Sequence, residues 1–196
     1  MIKIKNKIPN EIIVACSGGA DSIAVADFLS RSRKVSIAYF NHNTKFSNDA
    51  EEFVAQFAKE RNLNFIQAKL ASEKPKENSL EEFWRIERYN FLHSLNNLVI
   101  TAHSLDDQIE TWIFSSLHGQ SKLIPFQNKN VIRSFMLNSK SDFIEWNNRK
   151  NVKWLEDPSN NNTQFMRNKI RHDLMPLIKQ INPGIKKTIL KKCINL

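Results

Sequence analysis

"VACSGGADS", residues 14 to 22, carries two of the chain's four glycines between an apolar run and a helical pattern, "IAVADFL". A strand ending near Cys16, a glycine pair and a helix from about Asp21 make the first βα turn of an open α/β sheet. Ligands bind at such turns, beyond the carboxyl ends of the strands. Gly18 and Gly19 allow a sharp turn that brings backbone N–H groups against an anion, and the helix N-terminus adds a favourable dipole. Ser17 and Ser22 offer hydroxyl donors to phosphate oxygens. Asp21 offers none: a carboxylate beside phosphates calls for a cation between them, most simply Mg2+.

Three familiar turns share parts of this pattern. A Walker loop requires Lys-Ser or Lys-Thr after the glycines, and none follows. A nucleophile elbow nearly fits, with Ala15 in place of its first glycine, Ser17 as nucleophile, and Asp106 or Asp157 ahead of a catalytic His172. A capping turn accounts for one polar residue, but not for two serines, an aspartate and a glycine pair together.

Outward from the loop, "EIIVAC" (11 to 16), "KVSIAYF" (34 to 40), "NFIQAKL" (64 to 70) and "NLVITA" (97 to 102) read as buried strands, since each is a continuous apolar stretch. Between them, "DAEEFVAQFAKERN" and "SLEEFWRIERYNFLHSL" repeat their apolar residues at helical spacing. The alternation predicts a doubly wound, mainly parallel α/β sheet with helices on both faces. A further strand is expected at "VIRS" (131 to 134), followed by helices in "SKSDFIEWNNRK" and "RNKIRHDLMPLIKQ". The expected organisation is an α/β domain over residues 1–135 with a helical extension over 136–196.

A chain of 196 residues and 22.8 kDa buries a sizeable core without disulfides. Cys16 and Cys193 form no CxxC pair, which suits a reducing compartment and argues against thiol or zinc-cysteine chemistry. No apolar run reaches the roughly 18 residues of a membrane span, and the first residues lack the apolar core of a signal peptide. The expectation is a soluble, cytoplasmic protein with no membrane partner. A net charge of +9 and a pI of about 9.6 favour a polyanionic partner, although heavy use of Asn, Lys, Ile and Phe gives the same signal through base composition alone. Lys186, Lys187, Lys191 and Lys192, near the carboxyl terminus, are expected on a solvated helix face.

A second cluster lies in "TAHSLDDQIET", residues 101 to 111, again at a strand end entering a helix. Asp107, Glu110 and Thr111 share one helix face, with His103 just upstream, while Leu105, Ile109, Trp112 and Ile113 form the core stripe. Asp106 is explained equally well by the helix dipole. In "EEFWRIERYNFL", Arg88 falls on the apolar stripe between Trp84 and Leu92. An inward-facing arginine needs an anion, either Glu87 or another carboxylate, or a phosphate; Arg85 reaches the same edge.

Together "SGGADS", "NHNTKFSNDAEEF", "EEFWRIERYNFL", "TAHSLDDQIET", "IRSF" and "WLEDPSNNNTQFMRNKIRHDLMP" resemble the tRNA(Ile)-lysidine synthases, within the ATP pyrophosphatase or PP-loop group. The resemblance implies a sheet of about five strands, ATP and Mg2+ as cofactors, and two further substrates, L-lysine and tRNA(Ile) with a CAU anticodon. It implies that the C2 oxygen of the wobble cytidine is adenylated and that lysine then displaces AMP. Ser17, Gly18, Gly19, Ala20, Asp21 and Ser22 would bind ATP, with Asp21 on the metal. His103, Asp107 and Glu110 would join Asp21 in catalysis, and Arg85, Arg88, Arg167 and Arg171 would supply positive charge. Phe46, Phe126 and Phe165 are candidates to stack on an unpaired base, although most phenylalanines are expected in the core.

The chain departs from the family where His103-Ser104 replaces a histidine pair and where His118 stands in place of an arginine. Relatives often continue into domains that grip the tRNA, so a homodimer is the expected source of extra RNA surface. Two alternatives stay open: another adenylating tRNA-modifying enzyme of the group, or a non-catalytic nucleotide-binding relative.

Overall fold

A computed structural model describes residues 1–77, 79–161 and 166–195. Its centre is a six-stranded sheet in the order β3-β2-β1-β4-β6-β5. The strands are β1 (Glu11–Ala15), β2 (Lys34–Asn41), β3 (Asn64–Lys69), β4 (Val99–Thr101), β5 (Gln127–Asn128) and β6 (Val131–Ile132). All neighbours pair in parallel except β5 with β6. The sheet thus has one strand more than expected: the two-residue β5 turns back onto β6, too short to leave a hydrophobic pattern. Strand β6 also stops at Ile132, because Arg133 turns inward to bond Pro125 and Tyr89.

Val14 lies at the middle, fully buried, between Ile37 of β2 and Ile100 of β4. Alternation sends Ile12 and Val14 to one face and Ile13 to the other, and each face meets its own helices. On the first face pack α1 (Ala20–Ser30) and α2 (Lys45–Glu60), with Phe143 and Trp146 of α5 (Lys140–Lys150) laid over α1. On the second lies α3 (Leu80–Ser94), through Tyr89, Phe91 and Leu92. Helix α4 (Leu105–Leu117) buries Leu105, Ile109 and Ile113 against the carboxy-terminal helices, with Trp112 packed beside them. Those helices are α6 (Met166–Lys169), a π-helical turn (Ile170–Leu174), α7 (Met175–Ile181) and α8 (Ile185–Ile194). Among the described residues no helix is long and apolar enough to cross a membrane.

Local chemistry sets where these helices begin. The side chains of Thr44, Ser79 and Ser104 accept the N–H of Ser47, Glu82 and Asp107, starting α2, α3 and α4, while Ser139 bonds Asp142 at the head of α5. The Thr44 cap starts α2 several residues ahead of its apolar repeat. Helix α1 begins differently, at Gly19, which has no side chain to cap it.

Candidate active site

The strand order reverses between β1 and β4, and the loops leaving their carboxyl ends carry both sequence clusters. In the first, Gly18 has φ +85°, and a Cβ there would lie 3.4 Å from Val54 Cγ2 and 3.7 Å from Leu155 Cδ1. Its carbonyl accepts the Leu155 N–H at 2.9 Å, so the turn is clasped from outside. Gly19 has an ordinary φ of −73°. An added Cβ there meets only Ser17 Oγ, at 3.6 Å. What Gly19 contributes is space, because the first-turn N–H groups of α1 stay open to an anion. Ala20 is buried at the start of that turn.

The buried Ser22 holds the loop from within: its Oγ accepts the Ser17 N–H at 3.1 Å and donates to the Gly19 carbonyl at 3.0 Å. Ser17 is exposed, and its hydroxyl lies 3.3 Å from Ser22 Oγ. No histidine among the described residues bonds it. His172 Nε2 instead faces the Asn160 carbonyl at 3.0 Å, and Asp157 accepts the Ser159 N–H at 2.8 Å. The nucleophile-elbow alternative fails, since its nucleophile, base and carboxylate each have other partners.

The second loop faces the first across a cleft of about 150 Å3 lined by Asp21, Ser104, Asp106, Asp107, Glu110, Lys140 and Arg171. Asp107 Oδ2 accepts the Ser104 N–H at 2.8 Å and its hydroxyl at 2.9 Å. Its other oxygen has no protein partner among the described residues. One turn further, the buried Glu110 receives Arg171 Nε at 2.7 Å and Nη2 at 2.9 Å. The arginine reaches it from the π-helical turn, so two residues expected to act separately neutralise one another here. Asp106 turns to the scaffold, accepting the Lys140 N–H at 2.7 Å and Lys186 Nζ at 3.0 Å. Lys186 is therefore paired, where a free solvated lysine was expected.

Asp21 stands unsatisfied in the cleft: its Oδ1 is buried with no donor among the described residues. Burial above all, then the charge of Asp107, pushes its carboxyl up to about 7, against the pull of Lys140. An orphaned carboxylate oxygen beside other carboxylates, at the head of an anion loop, fits a hard cation. Among the described residues no three His, Cys, Asp or Glu groups form a complete metal cage. Mg2+ needs none, because it commonly takes one or two carboxylates and completes its shell with phosphate oxygens and water.

Beside the acidic cleft lies a basic group. His103 Nδ1 sits 2.9 Å from Thr101 Oγ1. Burial, only partly offset by Asp107, lowers its imidazole to about 3, and the positive charges of Arg133, Arg88 and Arg167 act in the same direction. Arg88 has no carboxylate partner among the described residues: Glu87 is taken by Ser72, at 2.5 Å, and by Asn90, at 3.2 Å. Arg167 makes a loose pair with Glu81 at 3.8 Å. Arg85 is exposed, its guanidinium 5.6 Å from the centre of the Tyr89 ring. His42, between Phe40 and Trp84, is lowered to about 4 by burial and then by Arg88.

The structure thus gathers Asp21, Asp107, Glu110 and Arg171 in one cleft, with His103, Arg88 and Arg167 within electrostatic reach and Arg85 at the outer edge. Sequence reasoning missed Lys140, His42 and Arg133. The one available signal was the lone arginine after an apolar strand in "VIRSF". Of the stacking candidates, Phe46 and Phe126 pack against the core, and Phe165 lies outside the described residues. His118 is exposed, its Nδ1 2.7 Å from the Phe114 carbonyl.

An uncapped helix behind a glycine turn, opposite carboxylates at the sheet's switch point, defines an α/β protein with an anion-receptive loop facing an acidic cleft. The chain belongs to the PP-loop domain family, whose model matches residues 2–178. Within that family it is similar to the tRNA(Ile)-lysidine synthase of Persephonella marina, 33% identical over 201 residues that cover 92% of this chain and 44% of that protein. The enzyme of the same name from Enterococcus faecalis is 28% identical over 88% of this chain and 41% of its own length. The chain therefore spans less than half the length of these relatives. In fold it matches the NH3-dependent NAD synthetase of Campylobacter jejuni, with a TM-score of 0.56 at 14% identity, over 97% of this chain and 86% of that one.

Proposed function

We propose that this protein is an ATP-dependent tRNA-modifying enzyme that joins L-lysine to C2 of the wobble cytidine in the CAU anticodon of tRNA(Ile). Adenylation of the C2 oxygen releases pyrophosphate, and attack by the lysine amine then releases AMP. The observation that carries this reading is the orphaned Asp21 oxygen at the head of the uncapped, glycine-turned loop, facing Asp107 across the cleft. Similarity to synthases of that name over some nine-tenths of the chain supports the substrates.

The geometry supports a role for each group. Open N–H groups at the start of α1 would receive the phosphates, and Asp21 is the residue that would hold Mg2+. Bound Mg2+ would neutralise phosphate charge; positioning the reactants is the chain's own work. Asp107, with one oxygen free, receives the lysine ammonium and takes a proton from it, since only the neutral amine attacks. Glu110 joins it once Arg171 is drawn away by a negative charge. His103, uncharged, faces the reacting cytidine. The basic surface and a homodimer supply contacts to RNA, and the reaction belongs to the cytoplasm. Release of AMP from ATP in the presence of lysine and CAU-anticodon tRNA tests the reading. AMP formation indifferent to both would reject it.

A further inference from the structure

Arg133 is a buried charge held by neutral partners. It is 1% exposed and has no carboxylate partner among the described residues. Its Nη1 donates to the Pro125 carbonyl at 2.6 Å and its Nη2 to the Tyr89 hydroxyl at 2.7 Å, while Nε has no acceptor. A buried guanidinium satisfied only by neutral oxygens is expensive, and a methionine or leucine would fill such a place at less cost. Its position gives it a use. The register pairs Ile100 with Ile132, the residues just before Thr101 and Arg133, and the Thr101 hydroxyl holds His103 Nδ1. Tyr89 comes from α3, which also presents Arg88.

We propose that Arg133 is a positioning residue for His103: its fixed positive charge acts on the imidazole from the neighbouring strand, and its bond to Tyr89 ties that strand to α3. With Nδ1 engaged by Thr101, the free Nε2 then faces the substrate on a ring that is not an acid. The groups around that ring are Asp107 from α4, which favours its proton, and Arg133, Arg88 from α3 and Arg167 from α6, which oppose it. An uncharged imidazole suits a site where a lysine amine must lose its proton, because an imidazolium would repel the ammonium. The inference rests on the proposed role of His103 at the reacting centre.

Two measurements on the full-length protein test it. The first follows the His103 ring resonances by NMR across pH, without substrates, in wild type, Arg133→Lys and Arg133→Gln. Glutamine removes the charge and keeps a donor for one of Pro125 and Tyr89; lysine keeps the charge. Wild type and Arg133→Lys should leave His103 uncharged down to about pH 4, whereas Arg133→Gln should raise its midpoint, with burial, Arg88 and Arg167 still holding it below the usual imidazole range. A midpoint that does not move in Arg133→Gln, or moves as far in Arg133→Lys, would overturn the proposal. The second is the pH profile of lysine-dependent AMP release. Arg133→Gln should gain an additional acid limb, beyond the one that protonation of Asp21 gives wild type, and Arg133→Lys should not. An NMR shift without that limb would show that Arg133 sets the charge of His103 but that His103 does not face the reaction.

Discussion

At the scale of single residues, the two adjacent glycines do different work, and substitution separates them. Gly18→Ala forces a side chain into a left-handed conformation against Val54 and should lower stability by about 1–2 kcal/mol, read from urea unfolding. Gly19→Ala keeps ordinary backbone angles and open space. It should leave unfolding unchanged while weakening ATP binding about tenfold, since a methyl group then stands over the anion cradle. A Gly19→Ala protein that loses stability but binds ATP normally would contradict the account. Asp21→Asn completes the series. Removing an ill-solvated charge, it should fold at least as well as wild type at pH 8 yet release no AMP, and retained AMP formation would displace Asp21 from the metal.

The element scale explains what could be read in advance and what could not. Helix α4 gives the sharpest prediction. Arg171→Met strands a buried Glu110 carboxylate and should cost about 3 kcal/mol in chemical denaturation, whereas Glu110→Gln leaves an arginine that reaches water and should cost clearly less. Equal losses would mean that the pair is not held as described. The acidic face of α4 was legible because helical spacing fixes it, and so was the strand–glycine–helix turn, because few other structures use that order of residues. The partner of Glu110 was not legible. It arrives from 61 residues away, out of a π-helical turn whose extra residue breaks the 3.6-residue period. Arg133 was hidden for a related reason: only the β4–β6 register, which pairs the residues just before them, relates it to Thr101, and β6 contributes just two residues to the sheet. The inward arginine of α3 was legible as a problem, but the fold decides that Glu87 goes to Ser72 and Asn90 and that no carboxylate among the described residues pairs with it.

For the molecule as a whole, three groups with large shifts dominate how ligand-free stability varies between pH 4 and 6.5, and Glu110, raised by burial, adds to the release of protons on unfolding. His42 and His103 are held uncharged, with values near 4 and 3, chiefly by burial. Unfolding lets both imidazoles titrate near their ordinary 6.5, so each takes up a proton as pH falls through that range. Asp21 works in reverse: its carboxyl is raised to about 7, so it holds a proton in the folded protein and releases it on unfolding. At about pH 5.5 the net uptake is therefore about one proton, and stability falls as pH drops from 6.5 toward 4. Asp21→Asn removes the opposing release and should steepen that fall to about two protons, measured from denaturation midpoints across pH. An unchanged slope would contradict the burial of these groups. The net charge of +9 bears on the partner instead: affinity for tRNA should fall steeply as salt rises, because phosphate neutralisation dominates such binding. The central claim is tested most directly by incubating the protein with ATP, isotopically labelled lysine and a CAU-anticodon tRNA(Ile), then digesting the RNA to nucleosides for mass spectrometry. The account predicts labelled lysine on the wobble cytidine, in step with AMP released and lost with Asp21→Asn. Unmodified cytidine alongside lysine-independent ATP cleavage would contradict it.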